Sequence, residues 1–203
     1  MNDEHELTQD LAQATDATAD DLDALHARLA SAAQSVGILD IAYRVVDGPV
    51  GALLIAATEL GLVRVAYASE GHDTVLQSLA DRISPRILLA PGRLDTAARQ
   101  LDEYFAGGRH EFSVPLDWRL SAGFRNTVLR QLPEIGYGDT ASYAAVARLA
   151  GNPNAVRAVG SACATNPLPI VVPCHRVVRS DGAMGGYLGG VEAKRILLTL
   201  EAA

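Results

Sequence analysis

Cysteine is scarce in this sequence of 203 residues, which holds only Cys163 and Cys174. Two thiols cannot build a cysteine-only zinc cage, which takes four, nor the disulfide framework of a small secreted domain. Long apolar runs are missing as well. None approaches the roughly 20 residues of a bilayer-spanning helix, although 49% of the residues are hydrophobic. The first residues lack the basic-then-apolar pattern of a secretory leader. Basic excess is also absent: the net charge is −7 and the pI about 5.1. What remains is a chain able to form one moderate domain or two small lobes around a packed core, with no membrane partner.

The acidity is uneven. Residues 1–40 carry nine acids against one arginine, a balance of −8, which leaves +1 for residues 41–203. A near-neutral remainder can gather its bases on one face, so the overall charge does not exclude nucleic acid.

Residues 1–17 are polar and acidic and read as disordered. Over residues 18–36, Leu22, Leu25, Leu29, Ala32 and Val36 recur at helical spacing, predicting an amphipathic helix packed on the core through that stripe. Three strands follow at about residues 40–46, 52–57 and 62–68, separated by turn residues, as in an antiparallel meander. Helices are expected at 73–83 and 94–105, the second stopped by Gly107 and Gly108. Residues 110–116 could return as a strand. This first part, residues 39–118, shows no recognisable chemistry.

Residues 119–203 read as helical. A helix carrying Phe124, Val128, Leu129 and Leu132 ends at Pro133. A short one spans residues 142–150, and Gly151 makes a turn. Asn152 is expected to cap, and Pro153 to open, another helix reaching Cys163. Two short helices joined at a glycine suggest a helix-turn-helix. A final helix covers residues 191–201. The class is α/β (α+β): an antiparallel sheet with helices, then a helical lobe, preceded by an acidic extension of residues 1–38.

The stretch with chemistry in it is Pro173-Cys174-His175-Arg176, between Ile170-Val171-Val172 and Val177-Val178. Flanking β-branched residues favour buried extended backbone, which would hold the thiol at a strand end. Pro173 would interrupt that strand. Neighbours on a strand point to opposite faces, so His175 would reach Cys174 through a water or a backbone kink. Thiolate is the nucleophile, and an imidazole can generate it. A buried cysteine beside a chance histidine is the plainer alternative.

Pro-Cys-His-Arg, with Asn166 before it and Gly185-Gly186-Tyr187-Leu188-Gly189-Gly190 after it, resembles the active-site signature of the O6-alkylguanine-DNA alkyltransferases. The likeness extends over residues 124–201 and, more weakly, 41–118. It implies direct repair: the alkyl group of O6-alkylguanine in duplex DNA, and of O4-methylthymine, moves irreversibly to Cys174 after base flipping, without a cofactor. His175 would then be the base and Glu201 the acid that orients it. Asn166 would brace the turn, and Tyr143 would protonate the leaving guanine. Tyr187, the Val177 carbonyl and the Leu188 amide would contact the base. Arg157 would fill the gap left in the duplex, with Ser180 and Asn152 completing the DNA-facing set. The resemblance further implies reduced thiols, a cytoplasmic location and a monomer in solution. Cooperativity on DNA stays open at this point.

Arg125 and Leu129 depart from the family's more usual Gln and Trp. Asn154 and Ala164 stand where some relatives carry bases, which shifts expected phosphate contacts toward Arg176, Arg179 or Arg148. Two rival readings remain. One is a lesion-sensing DNA-binding protein without transfer activity. The other is a cysteine hydrolase using Cys174, His175 and Glu201.

Overall fold

The computed structural model describes residues 19–202. The stretch expected to be disordered, residues 1–17, lies outside the described residues. Helix α1, Ala19–Ser35, packs against the sheet edge. Its inward residues are Ala30 and Ala33, whereas Leu22, Leu25, Leu29 and Val36 are 49–68% exposed and Ala32 is exposed too. The expected stripe therefore faces outward. Small alanines on the adjacent face let the helix backbone approach the sheet, which leucines would hold off.

Three strands form the meander: β1, Ile41–Val46; β2, Leu53–Thr58; and β3, Gly61–Tyr67. Helix α2, His72–Arg82, leads to a fourth strand that hydropathy did not suggest, β4, Ile87–Leu89. The order is β3-β2-β1-β4, with β4 parallel to β1. All six residues of β2 are buried, because the sheet is covered on both faces. Helix α3, Asp95–Phe105, lies on one of them.

The strand anticipated at residues 110–116 is reduced to a single parallel bridge, Leu62 to Leu116. Pro115 has no N–H to extend a ladder; its carbonyl accepts from Leu62 N at 2.8 Å. Farther along the same edge of β3, Val65 N donates to Pro167 O at 2.9 Å. That bond ties the sheet to the turn before Cys174.

The helical part contains α4, Gly123–Gln131; a two-residue strand β5, Ala141–Ser142; α5, Tyr143–Leu149; and α6, Val156–Ala164. Ser142 caps α5 by accepting from Ala145 N at 3.1 Å. Asn152 does not cap α6. It sits in the preceding turn, where its N–H reaches Ala147 O and its carbonyl accepts from Ala155 N. Helix α6 starts later, at Val156, because residues 151–155 form that turn. The pair α5–α6 is the expected helix-turn-helix. Strand β6, Val177–Val178, pairs parallel with β5, and helix α7, Gly190–Glu201, packs against the turn holding Cys174.

Candidate active site

Cys174 does not stand at the end of a strand. Residues Cys174–Arg176 form a 3-10 turn, and extended structure begins only at Val177. The prolines explain the difference. Pro167, Pro169 and Pro173 deny ladder donors to the segment, which instead folds into turns closed by Val172 N to Leu168 O at 2.8 Å. Ile170 has φ 73°, a left-handed conformation that opposes a β-branched side chain and costs on the order of 1–3 kcal/mol.

Asn166 holds this turn. It is fully buried, accepts from Leu168 N at 3.0 Å, and donates through Nδ2 to Val172 O at 2.8 Å. The same Nδ2 lies 3.1 Å from Cys174 Sγ. The thiol is 2% exposed. Burial pushes it up to about 11, and the Asn166 amide and the Lys194 charge pull in the other direction. At neutral pH Cys174 is therefore a stored thiol that needs a base.

His175 is the adjacent imidazole, and it is completely buried. Its Nε2 lies 2.8 Å from Glu201 Oε1, while Nδ1 is buried without a hydrogen-bond partner among the described residues. Burial lowers the imidazole's pKa, against the pull of Glu201. A neutral ring next to a protonated thiol is the resting arrangement that a general base requires.

Glu201 sits at the end of α7 with 4% exposure. Burial would raise its carboxyl, but hydrogen bonds from His175 and Arg176 overcome this and hold it at about 2. Arg176 grips it through Nε at 2.9 Å and Nη2 at 3.0 Å, and donates to Ile135 O at 2.6 Å. Arg176 is thus buried in an ion pair and turned away from any phosphate, contrary to expectation. Arg148 and Arg179 are exposed.

The first part of the chain does contribute chemistry, which the sequence reading did not find. Tyr104 on α3 is fully buried and donates to Glu201 Oε1 at 2.6 Å, with His175 Nε2 at 3.5 Å. Tyr67 ends β3, and its hydroxyl meets that of Tyr187 at 2.8 Å, the two rings edge to face. A Cβ at Gly189 would come within 2.5 Å of the Tyr67 ring, so that close approach requires glycine. Lys194, the single lysine of the chain, is buried on α7 and donates to Val177 O at 2.5 Å and to Met184 O. The Val177 carbonyl expected to read guanine thus already has one donor.

Tyr143 opens α5 at partial burial, which raises its phenol, with Cys163 and Cys174 adding to the effect. The hydroxyl would lie 3.1 Å from a Cβ placed on Gly185, which puts it against the loop carrying Tyr187 and Leu188. Arg157 is exposed in the first turn of α6, and Asn152 and Ser180 are also exposed. Cys163, buried on the inner face of α6, is unpaired. Cys174, His175, Glu201, Asn166 and Tyr187 therefore converge, while Arg157, Asn152 and Ser180 lie on the surface. Among the described residues, no cluster of three His, Cys, Asp or Glu side chains is placed to hold a metal ion, and no helix is long and apolar enough to cross a membrane.

Residues 41–118 match the 6-O-methylguanine DNA methyltransferase ribonuclease-like domain, and residues 123–203 match the DNA binding domain of the same family. The chain is 40% identical to the methylated-DNA–protein-cysteine methyltransferase of Mycolicibacterium paratuberculosis, over 79% of this chain and 92% of that protein. It is 40% identical to the constitutive enzyme of Bacillus subtilis, over 78% and 94%. Among solved structures, Mycobacterium tuberculosis OGT in complex with DNA superposes with a TM-score of 0.69 at 38% identity, over 79% of this chain and 92% of that one. The chain belongs to the methylated-DNA–protein-cysteine methyltransferase family.

Proposed function

We propose that this protein repairs O6-alkylguanine in duplex DNA by a single, irreversible transfer of the alkyl group to Cys174. The observation that carries the reading is the buried line Asn166–Cys174, His175–Glu201, with His175 Nδ1 as the ring atom not engaged by the carboxylate. Through a bridging water, Nδ1 takes the thiol proton. The thiolate then displaces guanine from the alkyl carbon, so that a C–S bond forms as the C–O6 bond breaks. Tyr143, kept protonated by its surroundings, supplies a proton to the departing guanine. Glu201 stabilises the imidazolium formed in the step.

No residue here is suited to cleaving the resulting thioether, so each molecule acts once. The alkylated oxygen lies inside the base stack, and the depth of the thiol therefore requires the nucleotide to be flipped out. Exposed Arg157, on the second helix of the helix-turn-helix, suits insertion in its place, with Asn152 and Ser180 on backbone phosphates. Tyr187, the Val177 carbonyl and the Leu188 amide would frame the base, and O4-methylthymine presents a similar edge. The division into residues 1–38, 39–118 and 119–203, cytoplasmic action and a monomeric state belong to the same reading.

The test is mass spectrometry of excess protein mixed with a duplex containing one O6-methylguanine. One added methylene on the Cys174 peptide, stoichiometric with restored guanine and absent in Cys174→Ala, is the expected outcome. Unmodified protein still bound to the lesion would replace transfer with damage sensing.

A further inference from the structure

A cavity of about 440 Å³ lies on the other side of the acceptor loop, between α2 and β3 on one wall and α4 and the end of α6 on the other. Its charged lining is lopsided: three arginines face one carboxylate. Arg64 takes that carboxylate, Glu70, in an ion pair. The remaining two, Arg82 from α2 and Arg125 from α4, converge on a single acceptor, the Leu120 carbonyl, at 3.5 Å and 2.9 Å. No carboxylate among the lining residues separates them. Arg125 Nε is buried there without a hydrogen-bond partner among the described residues.

Two guanidiniums gathered on one neutral oxygen repel each other, and a buried N–H without an acceptor costs about 1–3 kcal/mol. An anion between them would answer both deficits. Ser78, one turn before Arg82, lines the same cavity and adds a neutral hydroxyl donor; the Thr165 hydroxyl already donates to Ser161 O at 2.9 Å. Donors arriving from several directions, two of them planar forks, match the many acceptor oxygens of a tetrahedral oxyanion.

We propose that this cavity binds a phosphoryl group. Leu188 and Thr165 line it, and each is the chain neighbour of a residue in the acceptor site, Tyr187 and Asn166 respectively. An occupied cavity would therefore brace both flanks of that site. The phosphoryl group has two sources, a backbone phosphate of the bound duplex or a free phosphorylated compound. The first rests on the DNA-repair reading; the second does not.

Inorganic phosphate is the first probe, titrated into the full chain at constant ionic strength and followed by calorimetry and phosphorus NMR line broadening. Saturable one-to-one binding, weakened at least tenfold in Arg82→Gln and in Arg125→Gln, is expected. Ser78→Ala, which leaves all three arginines in place, should weaken it severalfold and guards against variants that fail to fold. In the second arm, affinity for an unmodified duplex is measured across salt concentrations. A slope of log K against log salt smaller by about one in either arginine variant assigns the site to a DNA phosphate. Phosphate binding with an unchanged slope assigns it to a free phosphoryl compound. Natively melting variants that alter neither readout overturn the site, and the Cys174 mass shift reports separately on alkyl transfer.

Discussion

Helix α7 carries two buried charges of opposite sign, Lys194 and Glu201, two turns apart, and their surroundings differ sharply. Glu201 is compensated: it receives two bonds from Arg176, one from Tyr104 and the His175 ring. Among the described residues, Lys194 meets only backbone carbonyls, those of Val177 and Met184. Burial lowers its pKa, and the groups pulling it back up are the thiols of Cys174 and then Cys163. One charge is therefore fixed in the resting fold. The other is matched only when the Cys174 thiol ionises, so the helix holds a permanent ion pair at one end and a conditional one at the other.

Breaking the permanent pair should have the largest effect. Glu201→Ala leaves the buried Arg176 guanidinium uncompensated, a change that costs about 3–5 kcal/mol. Urea unfolding should register that loss together with failure of transfer. A cost below about 1 kcal/mol would mean that Arg176 finds water instead.

Acid should act on the same end of the helix. Glu201 is held at about 2, below its ordinary 4.5, so its contribution is present above 4.5 and is lost as pH falls through 2. His175 is also depressed, so its contribution fades as pH falls below 6.5 and through its lowered value. In both cases the unfolded chain binds more protons, and stability declines on acidification. Tyr104→Phe removes a hydrogen bond to a charged acceptor, worth about 1.5–3 kcal/mol, and raises the Glu201 pKa. Its melting temperature should therefore begin its acid fall at higher pH than that of the parent. Parallel acid limbs would show that Tyr104 only fills space.

The conditional pair is tested by Lys194→Met. Two carbonyls lose their donor, at about 1–3 kcal/mol, partly offset because an ammonium no longer has to be buried. The sharper readout is the alkylation rate of Cys174 by iodoacetamide against pH. Its midpoint, which burial pushes up to about 11, should rise further when the cation is gone. An unmoved midpoint would reduce Lys194 to a clamp between two loops.

These surroundings were unevenly legible in the sequence. The meander, most helices and the helix-turn-helix followed from periodicity and turn residues, and Cys174, His175, Asn166 and Glu201, which the resemblance grouped, do meet in space. Strand β4 escaped because three apolar residues carry no period. The 3-10 turn at Cys174 escaped because β-branched neighbours pointed to a strand while the prolines removed its ladder. Asn152 looked like a cap, since Asn-Pro is a helix-start signal, yet the turn delays α6 to Val156. Tyr104 and Tyr67 reach Glu201 and Tyr187 across separations of 97 and 120 residues, and no local pattern records such contacts. Lys194 did leave a trace. It is the one lysine among 17 basic residues, on a helix face that it shares with buried Ala193 and Leu197.

The smallest effect should come from Tyr67→Phe, and it asks whether the sheet supports the acceptor site or also tunes it. Tyr67 and Tyr187 share one neutral hydrogen bond at 2.8 Å, worth about 0.5–1.5 kcal/mol. Losing it frees the Tyr187 hydroxyl without altering the ring packing that Gly189 permits. Tyr187 itself lowers the Cys174 pKa through a hydrogen bond, so a released hydroxyl can commit more fully to the thiol. Tyr67→Phe should then melt slightly lower while Cys174 alkylates slightly faster at a given pH. A lower melting temperature with unchanged alkylation would leave the sheet as a scaffold. A change in both would make β3 part of the device that sets the thiol's reactivity.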